Sequence, residues 1–143
     1  MSAKNDICSA SERFYAALNR MTNGDAAPMA HVWARGGSVS AQHPIGGRDA
    51  GYDTVIASFS KLAEIAGGGE IRLVDQSIDA GSDMAVESGV ETGTLIIGGR
   101  EAPIHHRVTN VYRRESGEWK LAHHHTDLSP ALIEILNRLG EPA

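Results

Sequence analysis

The sequence predicts an α+β fold in which a curved antiparallel sheet wraps around a long helix and leaves a cavity at its mouth. Two observations lead to this prediction. Apolar residues recur at helical spacing in the first half of the 143-residue chain and alternate with polar residues after Glu70. The turns between the alternating segments are short and rich in glycine, as antiparallel hairpins require. A chain of this length closes one core, so residues 1–143 are expected to form a single domain.

The first half is predicted to contain three helices and one short strand. The first helix carries an apolar stripe over residues 7–21 and ends at Asn23-Gly24, a common C-cap pair. A short second helix is expected over about 25–33. A strand over 38–43 then stops at a turn containing proline and glycine. A longer helix follows over 52–66, and three consecutive glycines are expected to end it.

The second half is predicted to form a four-strand antiparallel meander and a last helix. The strands cover about residues 70–79, 84–97, 101–114 and 118–127. Ser129 and Pro130 suit the N-cap and first position of the last helix, where Glu134 can pair with Arg138 one turn later. This helix is expected to serve either as a lid or as an oligomer contact.

Composition excludes several classes of partner. The formal net charge is −5, and the 13 Lys and Arg residues are spread along the chain. Nucleic acid binding needs a basic patch, so nucleic acid is not an expected partner. No apolar run approaches the roughly 20 residues that span a bilayer, and the N-terminal segment lacks the apolar core of a signal peptide. Cys8 is the single cysteine, which excludes an internal disulfide and favours the cytoplasm.

Polar residues that suit a pocket are concentrated on the last strand. Strand alternation places His123, His125 and Asp127 on the same face as Trp119 and Leu121. Because the last two are large and apolar, this face is expected to be the inner one. Its imidazoles would then lead from the core toward the mouth of the pocket.

The neighbouring elements supply the other candidates. Arg107 and Thr109 share a face with Val111, which indicates that they also point inward. His43 ends a strand whose glycine turn opens at the same mouth. The remaining candidates for the pocket wall are Trp33, otherwise a packing residue, and Tyr52.

Other polar residues are assigned to the surface. His124 lies on the opposite face of the last strand and is predicted to be exposed. At least one of the adjacent residues His105 and His106 is also expected to be exposed. Glu87 and Glu91 are predicted to lie on a solvated face or at a dimer contact, because Val86 and Val90 are expected to face the core.

Three segments carry a family resemblance, namely RFYAALNRMTNGD in the first helix, SVSAQHPIGGRDAGYDTV from strand into helix, and RVTNVYRRESGEWKLAHHH in the last hairpin. They resemble the SnoaL-like polyketide cyclases of the nuclear transport factor 2-like superfamily, to which ketosteroid isomerase also belongs. The resemblance covers nearly the whole chain. It implies a cystatin-like curved sheet with a conical pocket, and it implies homodimers. Function varies widely within this superfamily, so the fold alone assigns none.

The comparison with ketosteroid isomerase can be made by residue. Its catalytic aspartate precedes a proline and a glycine, a position that resembles His43 here. The position that resembles its oxyanion-hole tyrosine holds Phe14, which cannot donate a hydrogen bond, and Tyr15 projects about 100° around the helix. Its second donor matches Arg107 or Thr109. Steroid isomerisation is therefore not expected, whereas a proton transfer by His43 stays open as an alternative.

Three functions follow as alternatives. The first is an acid/base isomerase or cyclase acting on a small carbonyl compound, with His43 as base, Asp127 or His125 as further catalytic residues, and Arg107 or a histidine stabilising an enolate. The second is a non-catalytic domain that binds a small carboxylate or metabolite. The third is a zinc or iron site on His123 and His125, about 7 Å apart at Cα, together with His43 or Asp127. The resemblance implies chemistry without a metal, so no metal or cofactor is expected.

Overall fold

The computed structural model describes residues 3–141, so the first two and last two residues of the predicted domain lie outside this range. The elements in chain order are α1 (Ala3–Thr22), α2 (Met29–Val32), β1 (Ser40–Gln42), β2 (Asp49–Ala50), α3 (Tyr52–Ile65), β3 (Ala66–Ala80), β4 (Met84–Ile97), β5 (Arg100–Glu115), β6 (Glu118–Thr126) and α4 (Pro130–Asn137). The predicted α+β class and order of elements are confirmed, and β2 is the element that the sequence pattern did not reveal. None of the helices within residues 3–141 has the length and apolar character needed to span a membrane.

The strands form one curved sheet in the order β2-β1-β6-β5-β4-β3. The predicted meander from β3 to β6 is antiparallel throughout. The short strand β1 joins its edge in parallel with β6, with Ser40 opposite His123 and Gln42 opposite His125. This pairing brings the end of β1, and therefore His43, next to the last strand of the meander.

Two helices cover the concave side of the sheet. The longest helix, α1, packs against β3, β4 and β6, and α3 packs against α1, β1 and β2. Buried aromatic rings join these layers, with Phe14 of α1 in edge contact with Trp33 and Trp33 in contact with Phe59 of α3. Ser129 caps α4 by accepting a hydrogen bond from the backbone N–H of Leu132, as the sequence predicts.

The glycine segment after α3 belongs to the sheet rather than to a helix end. The helix stops at Ile65, and β3 already begins at Ala66. Gly69 and Gly93 have positive φ values where the paired strands β3 and β4 approach each other closely. A Cβ at Gly93 would lie 1.8 Å from the backbone oxygen of Glu70, so no side chain fits there without moving a strand.

A β-bulge interrupts the alternation of β6. Leu121 pairs with Tyr112 and His123 pairs with Val111, so two consecutive residues of β5 face two residues of β6 that are separated by Ala122. Ala122 is the extra residue, and both it and Leu121 are buried. A single extra residue moves every later side chain of the strand to the opposite face.

The bulge reverses the predicted orientation of the histidines. After Ala122, it is His124 and Thr126 that are buried. The predictions that His123, His125 and Asp127 face the pocket are therefore wrong, as is the prediction that His124 is exposed. The pattern of two large apolar residues at the start of the strand fixed the correct face only as far as the bulge.

The inner face of β5 is also the opposite of the one predicted. Arg107 and Thr109 are exposed, and Val111 is only partly buried. The inward face is anchored by small and apolar residues at both ends and carries two polar side chains between them. Its buried members are Ala102, Ile104, His106, Val108, Asn110 and Tyr112. The prediction that one of His105 and His106 is exposed is confirmed, since His105 is the exposed one.

Two carboxylates of β4 lie inside the protein. Glu87 and Glu91 are 0% and 3% exposed, whereas Val86 is 44% exposed, so the predicted solvated face is wrong. Buried carboxylates persist only where hydrogen-bond donors replace water. Both residues have such donors, which come from α1 and β5.

Candidate functional site

A cavity of about 60 Å³ lies between the two long helices and the inner face of the sheet. Most of its wall is hydrocarbon, contributed by residues such as Leu18 and Met21 of α1, Phe59 of α3 and Leu132 of α4. Its polar lining consists of His43, Ser58, Glu91, His106 and His124. An apolar hollow with a few convergent polar groups is the usual form of a small-molecule site.

Glu91 is the centre of the polar lining. Its Oε1 accepts a hydrogen bond from Nε2 of His106 at 2.7 Å, and its Oε2 accepts one from the Tyr15 hydroxyl at 2.8 Å. Burial favours the protonated form of Glu91, but the hydrogen bonds and the neighbouring imidazoles outweigh it and hold its pKa below the usual value. Burial, reinforced by the Glu91 carboxylate, raises the pKa of Tyr15. Tyr15, the neighbour of Phe14, therefore gives its hydroxyl hydrogen to Glu91 and does not line the cavity.

Hydrogen bonds fix the state of His124. Asn110 donates through Nδ2 to Glu87 Oε1 at 3.0 Å, and a carboxylate can only accept, so the orientation of the amide is set. The other amide atom, Oδ1, must then accept from Nδ1 of His124 at 2.6 Å. Complete burial lowers the pKa of His124 to about 4, although Glu91 opposes the shift. In the neutral ring Nε2 is an acceptor, and it lies 4.0 Å from Glu91 Oε2.

Glu87 extends the network away from the cavity. Its two carboxylate oxygens accept hydrogen bonds from the Tyr112 hydroxyl at 2.8 Å and from Gln76 Nε2 at 2.6 Å. Burial and the nearby Glu87 raise the pKa of Tyr112, so its hydroxyl stays a donor. Asn110 connects this carboxylate to Tyr15 at 3.1 Å and so joins the two buried glutamates in one network.

His43 forms a second acid/base group on the same cavity. Its Nε2 lies 2.9 Å from Asp49 Oδ2, and the Ser58 hydroxyl donates to the same oxygen at 2.5 Å. Asp49 is the residue of β2 opposite Ala41 of β1, so the β1–β2 pairing positions the carboxylate beside the ring. Burial lowers the pKa of His43 despite the opposing effect of Asp49. The His43 and His124 rings are 6.5 Å apart between centroids.

Asp127 and Arg107 lie together outside this cavity. Arg107 donates through Nε to Oδ2 of Asp127 at 2.8 Å and through Nη2 to Oδ1 at 3.0 Å. The Arg107 side chain is 82% exposed. These hydrogen bonds lower the pKa of Asp127 to about 2. Arg107 is thus occupied by an internal carboxylate on the outer face of the sheet and does not line the cavity.

The other predicted residues on the outer face bind the sheet edge. His123 Nδ1 is 2.8 Å from the Ser40 hydroxyl, and His125 Nε2 is 3.1 Å from Nε2 of Gln42. Burial, followed by the charge of His125, lowers the pKa of His123. Thr109 is exposed on β5. Within residues 3–141, no three His, Cys, Asp or Glu side chains are grouped to hold a metal ion.

Trp33 and Tyr52 do not line the cavity. Trp33 is 1% exposed and packs in the core rather than in the cavity wall. The Tyr52 hydroxyl donates to the backbone oxygen of Ala30 at 2.7 Å, and the guanidinium of Arg35 lies 4.7 Å above its ring. Of the eight residues predicted for the site, His43 is the one that lines the cavity.

The sequence reasoning missed Asp49, Glu91, His106 and His124 as site residues. One signal was available for His106. It lies on the same strand face as the apolar residues Ala102, Ile104 and Tyr112. This alternation is longer than the single apolar residue, Val111, that led to the inward assignment of Arg107. His124 had no such signal, because its orientation depends on the bulge.

Comparisons with known proteins give one family and a consistent fold. A family model described as a SnoaL-like domain matches residues 7–131. A nuclear transport factor 2-like protein from Streptomyces avermitilis, provisionally named a dehydratase, has 23% identity over 90% of this chain and 97% of its own, with a TM-score of 0.76. No protein of curated function matches the sequence.

Two further solved structures are similar. A protein from Thiobacillus denitrificans, provisionally named a calcium/calmodulin-dependent protein kinase type II association domain, has 28% identity over 84% of this chain and 92% of its own, with a TM-score of 0.68. A nuclear transport factor 2-like superfamily protein from Salmonella enterica has 15% identity over 99% of this chain and 97% of its own, with a TM-score of 0.77. The names differ in function, while the fold is shared.

Proposed function

The chain belongs to the SnoaL-like family, and we propose that it is an acid/base catalyst that moves a proton at a carbon beside the carbonyl group of a small, uncharged compound. Isomerisation and ring closure both begin with this step. The observation that carries the proposal is the presence of two acid/base groups on one apolar cavity. One is His43 with Asp49, and the other is Glu91 with His106 and His124.

His43 has the properties of a general base. Burial lowers its pKa, so the imidazole is neutral and able to accept a proton at neutral pH. Asp49 accepts the hydrogen on Nε2, which leaves the lone pair on Nδ1 for the substrate. When Nδ1 takes the proton, Asp49 stabilises the resulting imidazolium, and Ser58 holds Asp49 in place.

The proposed step conserves atoms and charge. Nδ1 removes a proton from the carbon, the C–H electron pair forms a double bond to the carbonyl carbon, and the carbonyl π electrons move to oxygen. Return of the proton to a different atom gives an isomer. Attack of the same carbon on a second carbonyl group of the molecule closes a ring instead. The imidazolium of His43 holds the proton that is returned, because Glu91 and His124 on the same cavity wall are hydrogen-bond acceptors.

The lining selects the substrate by polarity and charge. The wall is mostly hydrocarbon, and the Glu91 carboxylate disfavours a second anion nearby. Arg107, which the carboxylate-binding alternative needs, is paired with Asp127 on the other side of the sheet. A non-catalytic binding domain would use the same cavity but would leave the carbon-bound hydrogens of its ligand unchanged.

Hydrogen exchange separates these alternatives. The protein is incubated in D₂O with butan-2-one or cyclopentanone, and NMR follows deuterium entry beside the carbonyl while a titration measures binding. We expect catalysed exchange that falls about 10²- to 10⁴-fold in His43→Ala with binding retained, because a general base contributes this much. His105→Ala, which changes an exposed imidazole of β5 outside the cavity, is the matched control. Binding without exchange in the wild type would support the non-catalytic alternative, and unchanged exchange in His43→Ala would exclude His43 as base.

A further inference from the structure

The polar wall opposite His43 carries two hydrogen-bond acceptors. His124 gives its Nδ1 hydrogen to Asn110, so Nε2 of the neutral ring is an acceptor. The Glu91 carboxylate is the other acceptor, and His106 gives it the hydrogen on Nε2. Nδ1 of His106 is buried and has no hydrogen-bond partner among residues 3–141. The His106, His124 and Glu91 side chains are each 3–4% exposed.

The gap between His124 and Glu91 suits a hydrogen-bond donor. His124 Nε2 and Glu91 Oε2 are 4.0 Å apart, too far for a direct hydrogen bond and unfavourable for two facing lone pairs. Glu91 Oε2 already accepts from Tyr15, so His124 Nε2 is the acceptor without a direct partner across this gap, and leaving a buried acceptor unsatisfied is costly. A group that brings hydrogens to this place removes that cost, whereas a carbonyl or ether oxygen adds one more lone pair.

We infer that the natural ligand is an uncharged hydroxylated carbonyl compound whose hydroxyl hydrogen is donated to the Glu91–His124 gap. This inference rests on the proposed function in that the same cavity binds the substrate, with its carbonyl side toward His43. An alcohol fits better than an ammonium group. Glu91 already accepts from Tyr15 and His106, and the remaining wall is largely hydrocarbon, which penalises a full positive charge.

Matched four-carbon probes test this inference on the wild-type protein. The probes are 3-hydroxybutan-2-one, its methyl ether 3-methoxybutan-2-one, butan-2-one, and butan-2-amine as the cation. NMR titration gives the dissociation constant of each probe. A hydrogen bond to a charged acceptor is worth enough to favour the hydroxyl compound over its methyl ether by about tenfold to a hundredfold. Glu91→Gln should abolish the preference, while Glu101→Gln, at an exposed position of β5, should retain it.

The outcomes separate the two proposals. Equal affinity for the hydroxyl compound and butan-2-one, or tighter binding of the amine, would overturn the hydroxyl assignment whether or not exchange is catalysed. A hydroxyl preference without deuterium exchange would overturn the catalytic proposal and leave the ligand class standing. Because the decisive comparison uses the wild type, it does not depend on how well Glu91→Gln folds.

Discussion

Acidification from pH 7 to pH 5 is expected to destabilise the protein through His124. In the folded chain burial lowers the pKa of this imidazole to about 4 from an ordinary value of 6.5, so it stays neutral across the interval. In the unfolded chain the same group takes up a proton as the pH falls below 6.5. The unfolded state then binds more protons, and stability falls as the pH is lowered. The difference between the two pKa values corresponds to a loss of about 2 kcal/mol between pH 7 and pH 5.

Urea unfolding at the two pH values measures this loss. The buried Trp33 and Trp119 provide the fluorescence signal. His124→Gln should show a pH dependence smaller than that of the wild type by about 2 kcal/mol, because glutamine does not titrate. His31→Gln, which removes an exposed histidine, serves as the control and should behave as the wild type does. Burial also lowers the pKa of His43, which adds to the loss in every variant that keeps it. The same pH dependence in His124→Gln and wild type would refute the buried neutral imidazole.

Other substitutions have effects that follow from specific contacts. Glu91→Ala leaves two buried donors without an acceptor, so urea unfolding should show that the free energy of unfolding falls by about 2–6 kcal/mol. The exposed control Glu101→Ala should show a negligible loss. A small loss in both variants would contradict the hydrogen-bond network described for Glu91. Gly93→Ala places a Cβ 1.8 Å from a backbone oxygen of β3 and should lower the melting temperature. A melting temperature equal to that of the wild type would contradict the close approach of these two paired strands. Arg107→Ala removes an exposed pair with Asp127 and should change neither stability nor deuterium exchange, whereas a loss of exchange would return this pair to the site.

The positions of the strands could be predicted because local patterns determine them. Alternation identified β4 and β5 to within a residue or so at each end, and short polar turns separated them. The inward side of each strand was harder to determine. Buried Glu91 resembles an exposed glutamate in the sequence, since one of its donors, Tyr15, is 76 residues away. A strand pattern records no such partner, and burial of a carboxylate depends on that partner.

The bulge could not be predicted for a different reason. Ala122 is small enough to lie on either face, so the pattern reads without interruption from Trp119 to Asp127. The register shift becomes visible only in the pairing of β6 with β5. One misplaced residue then reversed the assignment of every histidine in the segment.

The same bulge gives the three consecutive histidines distinct positions relative to the cavity. His124 lies on its wall, and the outward His123 and His125 contact Ser40 and Gln42 of β1. Because β1 runs parallel to β6 and ends immediately before His43, these outer contacts hold the strand that presents the proposed base. The outer histidines therefore support the site by position, although neither reaches a ligand. Without the extra residue, alternation would put His124 outside and two imidazoles inside, and the amide of Asn110 would lose the donor that fixes the neutral ring.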